Sequence, residues 1–448
     1  MRNTIVIYLL ATLLCACSPD YELSGGHTAI VEYPYIEENQ WIYQTMNRNY
    51  LWRDDLPDSL SCNYNLYPSK FFESLLSDKD RFSYYQSNSN STRASHTNDY
   101  GFAYQRYTDN SGNIFYQVLY ITSPTLKSLG LQRGDFLISC KNNEGESKFQ
   151  RVIFRDGKHI LDSLVIDCNG SSRSSKSNST VLLDTIYSIN DKKIGYMCYL
   201  QFDSVQDFSS AIKRFKEHNI DELILDLRYN PGGFVSTCIY LCTEIGCENV
   251  YEQVCQTHRY NDIIAKENYD ETGDSLSYEY FRKPTPIDAK ILGTPLYGLN
   301  MKRLYTITSK NTASASEATI SCLRPYMPVY IIGETTTGKG TGMRTFSNTK
   351  CRIDISPLTF RYYNADHETV PDSGLTPDLY CPDGYNTRKK DIGDIKELLL
   401  AATLQYMGLD VENGENNTQD KVSQLSTPSL IPIGDPSFVE EYKLKHSN

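Results

Sequence analysis

An α/β fold with a mainly parallel sheet, preceded by a β-rich module and a small helical region, is predicted by three features of the chain. From Val181 onward, apolar runs that read as buried strands alternate with segments of helical period, the pattern of a parallel sheet with covered faces. Between Tyr100 and about Ile166 the segments are short, alternate apolar with polar residues and are separated by turn residues, as in Ile114-Phe-Tyr-Gln-Val-Leu-Tyr-Ile121. Two stretches too polar to bury a core, Ser87 to Asn98 and Gly170 to Thr180, bracket that module. At 448 residues the chain is too long for one core and implies two or three domains.

The N-terminus predicts export. Arg2 precedes an apolar run, Ile5 to Leu14, that is too short for a stable membrane span and reads as a signal peptide over residues 1–17. Its end, Leu14-Cys-Ala-Cys17, resembles the lipobox of bacterial lipoproteins, which makes Cys17 the expected site of lipidation and a lipid the expected link to a membrane. Ser18 to about Gly26 is polar and suited to a tether. A formal net charge of −11 at pH 7, with no long Lys/Arg run to offset it, argues against a nucleic-acid partner, which needs a basic face to displace counterions.

Ordered structure is expected from near Val31. Ile42, Thr45, Met46 and Asn49 fall at helical spacing, continued by Trp52 and Leu56, and a second helix is expected over Ser69 to Leu76. These form a helical N-terminal region within residues 18–98. Of thirteen cysteines, eleven remain beyond the signal segment, an odd number with no regular framework. Cys238, Cys242, Cys247, Cys255 and His258 lie close in sequence but match no familiar zinc spacing, so no metal site is expected; Cys238 and Cys242, four apart on a helix, fit one buried face.

The β-rich module carries Ser123-Pro-Thr-Leu-Lys-Ser-Leu-Gly-Leu-Gln-Arg-Gly-Asp-Phe-Leu-Ile-Ser139, which resembles the PDZ-domain signature of a short helix, a Gly-Asp turn and an apolar strand. Upstream, Gly101, Phe102 and Ala103 resemble the loop whose amides hold a peptide's terminal carboxylate. Such a domain, expected over residues 99–170, binds a peptide as an added strand.

In the core, Ile194 to Leu200 and Glu222 to Leu227 read as strands, with Val205, Phe208, Ile212 and Phe215 forming a helical stripe between them. A helix is expected from about Phe234. Gln256 to Pro286 is polar, Tyr-rich and without clear period, as in a surface insertion. Strands at Arg303 to Thr308 and Val329 to Gly333 flank a helix from Ala313 to about Cys322, and a β-rich tail covers Arg352 to Tyr363.

Three strings could carry chemistry. Ser314, in Asn311-Thr-Ala-Ser-Ala-Ser-Glu317, falls after a buried strand at a helix start, where free amides and the helix dipole favour negative charge. The same residues also suit a plain capping arrangement. Lys339 lies in a Gly-rich loop after the next strand, Gly333-Glu-Thr-Thr-Thr-Gly-Lys-Gly-Thr341, which lacks the spacing and following helix of a phosphate loop. Lowering a lysine's pKa from about 10.4 toward 7, so that it can act as a base, requires about 4 kcal/mol, which desolvation can provide. Asp226-Leu-Arg-Tyr-Asn-Pro-Gly-Gly233 is a buried strand entering a tight turn, whose amides could form half of an oxyanion hole, with Arg228 and Asn230 bracing it.

The strings Leu225 to Gly233, Thr312 to Glu317, Gly333 to Gly340 and Gly374-Leu-Thr-Pro-Asp378 resemble, in order and spacing, the C-terminal processing (tail-specific) serine peptidases. The likeness covers about Tyr100 to Asp378, and the N-terminal Tyr-Leu-Trp stretch resembles the lipoprotein members from Bacteroidetes. The resemblance implies a ClpP/crotonase-like core over residues 181–385, a C-terminal helix and polar tail over 386–448, no cofactor, and protein or peptide substrates. By position it implies Ser314 as nucleophile, Lys339 as general base, and Gly232 with Ala315 as the oxyanion amides. Many members carry glutamine four residues after the lysine, where this chain has Met343. Glu317, Thr341 or a backbone carbonyl are the candidates to orient Lys339 instead. The expected activity is that of an exported serine endopeptidase in the cell envelope. The alternatives are a catalytically silent peptide-binding lipoprotein and a Ser/Lys amidase or esterase of small substrates.

Overall fold

The computed structural model describes residues 35–87, 100–141, 147–155, 158–167, 179–384, 389–409 and 430–445. The expected signal peptide, Cys17, the tether and most of both polar linkers lie outside the described residues.

Helices α1 (Ile36–Asn49) and α2 (Pro68–Ser74) form the N-terminal region. Helix α1 buries Ile42 and Met46 on the expected stripe and ends where Tyr50 turns extended, at ψ 134°. Buried Asn39 donates through Nδ2 to the carbonyls of Tyr64 and Leu66, tying the loop between the helices to α1. The region is not purely helical, because Tyr84–Ser87 (β1) pairs antiparallel with Ile353–Ser356 of the core. Its apolar residues, Tyr50, Phe71 and Phe72 among them, share one cluster with Ile353 and Ile355. It therefore packs as part of the core.

The β-rich module contains β2 (Phe102–Thr108), β3 (Ile114–Ile121), the short helix α3 (Pro124–Ser128), β4 (Phe136–Lys141), β5 (Ser147–Arg155) and β6 (Lys158–Asp167). Its strands pair antiparallel in chain order, and Ser123 caps α3 by accepting the Leu126 N–H.

The central sheet is built from β7 (Val181–Ile189), β8 (Lys192–Tyr199), α4 (Val205–His218), β9 (Glu222–Asp226) and α5 (Val235–Gly246). After β10 (Val254–Tyr260), α6 (Asp262–Thr272), β11 (Ser277–Tyr280) and α7 (Pro286–Leu292), it resumes with β12 (Leu304–Thr308), α8 (Ala315–Leu323) and β13 (Val329–Gly333). There follow β14 (Thr341–Met343), β15 (Phe346–Asn348), β16 (Ile353–Ser356), β17 (Leu358–Tyr363), β18 (Leu379–Tyr380) and α9 (Leu398–Tyr406). The strand order is β18-β13-β12-β9-β8-β7, parallel throughout except for the antiparallel β7–β8 edge pair. Side chains alternate across it as the strand period requires. Met197, Tyr199, Leu223 and Leu225 pack with α4, α5 and α8, while Ile194, Tyr196 and Ile224 meet Leu399, Leu400 and Leu404 of α9.

Gln256 to Pro286, expected as a surface insertion, is largely structured. Strand β10 pairs with β17 and β11, in a sheet ordered β11-β10-β17-β14. The period was hidden because the buried positions of β10 include the polar side chains Gln256, Thr257 and His258. The end of the chain is also more than a helix and a tail: beyond α9, β19 (Ile431–Ile433) and α10 (Ser437–Lys445) return to the β-rich module, where β19 pairs with β2.

A buried ionic network joins module, core and α9. Arg228 donates to both carboxylate oxygens of Glu397 (2.7 and 3.0 Å) and pairs with Asp226. Arg133, from the Gly-Asp turn of the module, reaches the same Glu397 (3.2 Å), Asp383 (2.5 Å) and the Tyr229 hydroxyl (3.0 Å). Burial opposes ionisation of Asp383, but Arg133 and Lys389 outweigh it and hold its carboxyl at about 2. That value lies below the ordinary carboxylate range, so its contribution to stability is complete above about pH 4 and is lost as pH falls through about 2. Glu397→Ala leaves two buried guanidinium groups under-compensated and is expected to cost about 3–5 kcal/mol. A lowered thermal midpoint at neutral pH checks this; an unchanged midpoint contradicts it. For Asp383→Asn, the stability deficit against the parent chain should shrink between about pH 4 and pH 2.

Candidate active site

Strands β9, β12 and β13 are adjacent and parallel, so the loops that leave their carboxyl ends lie on one edge of the sheet, the usual place for a site in an open α/β fold. Those loops carry Gly232, Ser314 and Lys339.

Ser314 is the N-cap of α8 and has φ 56° and ψ −117°, a conformation an L-residue adopts only when its surroundings enforce it. The enforcement is visible. Thr312 donates to the Leu227 carbonyl (2.8 Å), while Ala313 N–H and the Ser316 hydroxyl both donate to the Asn230 carbonyl (3.2 and 3.0 Å). The serine therefore sits on a sharp strand-to-helix turn clamped to the neighbouring loop. Gly232, at φ 113°, allows that closeness, because a Cβ there would stand 2.8 Å from Ser314 Cβ.

Asn230 braces the turn as expected: its Nδ2 donates to the Tyr199 carbonyl (3.0 Å) and its Oδ1 accepts the Gly232 N–H (2.9 Å). This changes the reading of Gly232, whose amide is committed to Asn230. The Gly232 carbonyl accepts from Phe202 N–H (2.9 Å), so across the trans peptide the Gly233 N–H points away from Phe202. Ala315 is the first residue of α8, where the helix leaves its leading amides without intrahelical partners.

Ser314 and Lys339 are joined through shared partners. The buried Glu317 carboxylate accepts from Ser314 N–H (3.0 Å), Gly338 N–H (2.7 Å), Lys339 N–H (2.8 Å) and the Thr336 hydroxyl. Burial pushes the Glu317 carboxyl up and these donors pull against it. The Tyr362 hydroxyl lies 3.4 Å from both the Ser314 and the Lys339 carbonyl oxygens. Lys339 is 6% exposed, with Nζ 4.0 Å from Met343 Sδ and 5.4 Å from the centroid of Phe82. Of the candidates to orient it, Glu317 holds its backbone, and Thr341 Oγ1 is buried without a hydrogen-bond partner among the described residues. Arg81 Nη2 donates to the Gly338 carbonyl (2.9 Å), so the N-terminal region secures the lysine loop. Arg81, Phe82 and Tyr362 belong to no motif, and only the sequence neighbourhood of Glu317 pointed toward the hub.

A cavity of about 400 Å³ adjoins these loops, lined by Val235, Ile239, His258, Met343 and Phe360 among others. His258 stacks on Phe360 at 4.1 Å, and burial pushes its imidazole down to about 4. Cys238, Cys242 and Cys255 are core side chains. Among the described residues no group of three or more His, Cys, Asp or Glu side chains is placed to hold a metal ion. Gly101, Phe102 and Ala103 lie on another sheet: the Gly101 carbonyl accepts the N–H groups of Thr122 and Ser123, and Ala103 packs in a cluster with Tyr229.

The strained serine and the buried lysine thus lie on loops that leave the carboxyl ends of adjacent parallel strands. Residues 193–381 match the model of peptidase family S41, and residues 37–84 match that of the peptidase S41 N-terminal domain. The chain belongs to peptidase family S41. It is 24% identical over 256 residues to the carboxy-terminal processing protease CtpA of Bacillus subtilis, a stretch covering 56% of this chain and 46% of that protein. It is 26% identical over 200 residues to the chloroplastic carboxyl-terminal-processing peptidase 2 of Arabidopsis thaliana, covering 44% of this chain and 33% of the relative. The matched stretches thus span less than half the length of these relatives. The fold is similar to the crystal structure of a Bacteroides fragilis chain assigned to the S41 proteases, with a TM-score of 0.65 and 23% identity, covering 82% of this chain and 97% of that one.

Gly232→Ala would place a methyl group against Ser314 Cβ at a positive φ. It is expected to lower the unfolding free energy by about 1–3 kcal/mol, measured by urea denaturation. An unaltered midpoint would contradict the close approach of the two loops.

Proposed function

We propose that this chain is an exported serine endopeptidase that hydrolyses peptide bonds of unstructured or C-terminally presented protein substrates through a Ser314/Lys339 dyad and an acyl-enzyme. The observation that carries this reading is the strained backbone of Ser314, at φ 56° and ψ −117°, on a strand-to-helix turn clamped beside the lysine loop. Strain of this kind is what presents a nucleophilic hydroxyl at the top of a sheet.

In the proposed reaction Ser314 Oγ attacks the substrate carbonyl carbon while Lys339 Nζ accepts its proton. The oxyanion is met by the Ala315 amide at the α8 N-terminus and by the Gly233 amide, which takes the place of the committed Gly232 N–H. Collapse breaks the C–N bond, and Lys339 returns the proton to the leaving amine. Water, deprotonated by the same lysine, then releases the acyl group. Phe82 and Met343 close around Nζ and keep solvent from it. Met343 Sδ is a weak acceptor, and the backbone bonds made by Glu317 and Arg81 hold the loop that carries the lysine.

The β-rich module is proposed as a PDZ domain, with Gly101, Phe102 and Ala103 as the carboxylate-binding loop. Cys17 is the proposed lipidation site and the cell envelope the proposed location. The second reading, a catalytically silent peptide-binding lipoprotein, is favoured by Met343 alone. Cleavage of casein by the purified chain lacking residues 1–17 separates them. Ser314→Ala and Lys339→Ala should each lower the rate by about 10²–10⁴. Equal cleavage by either variant contradicts the dyad, and no cleavage by the parent chain favours the silent reading.

A further inference from the structure

We propose that residues 430–445 are a built-in ligand of the β2 edge, which an arriving peptide must displace. The inference rests on the reading of the β-rich module as a peptide-binding domain, and names what occupies its binding edge.

Strand β2 starts at Phe102, inside the Gly101–Ala103 segment, and pairs with β3 along one side, so its other side is the edge to which a peptide would add. That side is filled by the chain itself. Strand β19 pairs antiparallel with it, placing Ile431 opposite Thr108, Pro432 opposite Tyr107 and Ile433 opposite Arg106. Closer to the loop the chain turns at Gly434, and the Ser437 hydroxyl takes the Tyr104 N–H (2.9 Å) in place of a strand carbonyl. Gln105 Nε2 reaches the carbonyls of Ile433 and Gly434, both at 3.2 Å. Arg106 pairs with Glu440 at 2.6 Å. The segment therefore satisfies main-chain and side-chain groups of β2 that an added peptide would use.

It is also built to leave. Strand β19 has three residues, and its Ile431 is 54% exposed. Pro432 has no N–H to donate and cannot template a further strand. Leu430, Pro436 and Phe438 are the segment's buried residues among those described. Leu430 packs with Tyr107 and Phe115 of the module, and Phe438 packs with Ala103 and Tyr120. Phe438 also lies 5.7 Å, ring to ring, from Tyr229, in the loop that leads to Gly232. Occupancy of the β2 edge is thus in contact with the loop that braces Ser314, which gives a displaced segment a direct mechanical effect on the site.

Binding of a dye-labelled, unstructured peptide ending in Ala-Ala-Ala, measured by fluorescence anisotropy, tests this in the full-length Ser314→Ala protein, so that turnover plays no part. Adding Phe438→Asp removes one anchor and is expected to tighten peptide binding about tenfold, because the competent fraction rises. Adding Glu440→Arg instead breaks the pair with Arg106 at the surface and should shift affinity in the same direction. A synthetic peptide of residues 430–445 should compete with the dye-labelled one in both variants. Equal or weaker binding in both variants overturns the inference while leaving the peptide-binding reading intact. So does hydrogen exchange showing that β2 to β6 unfold together when the segment is released, since it would then be an integral strand. Absence of peptide binding to every form overturns the peptide-binding reading and the inference with it.

Discussion

The carboxylate of Glu317 is the interaction on which the site depends. It lies on the first turn of α8, fully buried, and takes hydrogen bonds from the backbone of Ser314 behind it and from Gly338 and Lys339 on the neighbouring loop. A buried carboxylate is stable only when its acceptor positions are filled, so the two loops can satisfy it only in this one arrangement. The effect is to convert two segments 25 residues apart in the chain into one rigid unit. Tyr362, whose hydroxyl touches the carbonyls of the same two residues, closes that unit from β17.

What allows one carboxylate to do this is the parallel order of β9, β12 and β13. Parallel neighbours release their loops on the same side, and the register places Thr308 opposite Gly333 at the point of departure. The third loop, carrying Gly232, is added by β9, and the buried Arg228–Glu397 pair anchors its base from α9. The N-terminal region adds Arg81 and Phe82 from outside the sheet. The lysine environment is therefore assembled from segments spread over most of the chain.

That spread explains what the sequence could and could not convey. Buried parallel strands such as Glu222–Asp226 and Val329–Gly333 are short apolar runs, and their limits were legible to within a residue. The loops that carry Ser314, Lys339 and Gly232-Gly233 were legible because their close approach imposes small residues and glycines in short strings. The hub role of Glu317 was only half visible, since a capping residue and a loop clamp look alike in sequence. Phe82, Arg81 and Tyr362 were not legible, because they act by tertiary position and carry no local pattern. Strand β10 was missed for a related reason: its partner β17 lies about a hundred residues downstream, and a half-polar strand has little signal without its partner. The C-terminal return of β19 and α10 to the module was likewise absent from the pattern, as a three-residue strand has no period.

The central claim is that Ser314 is a nucleophile activated by Lys339 in a site held by Glu317. The most direct measurement is the rate at which a fluorophosphonate probe labels Ser314, followed by mass spectrometry at neutral pH. The account predicts labelling at Ser314 in the parent chain, and labelling at least about a hundredfold slower in Lys339→Ala with the protein still folded. Equal labelling rates in the two proteins, or probe found only at other serines, would contradict it.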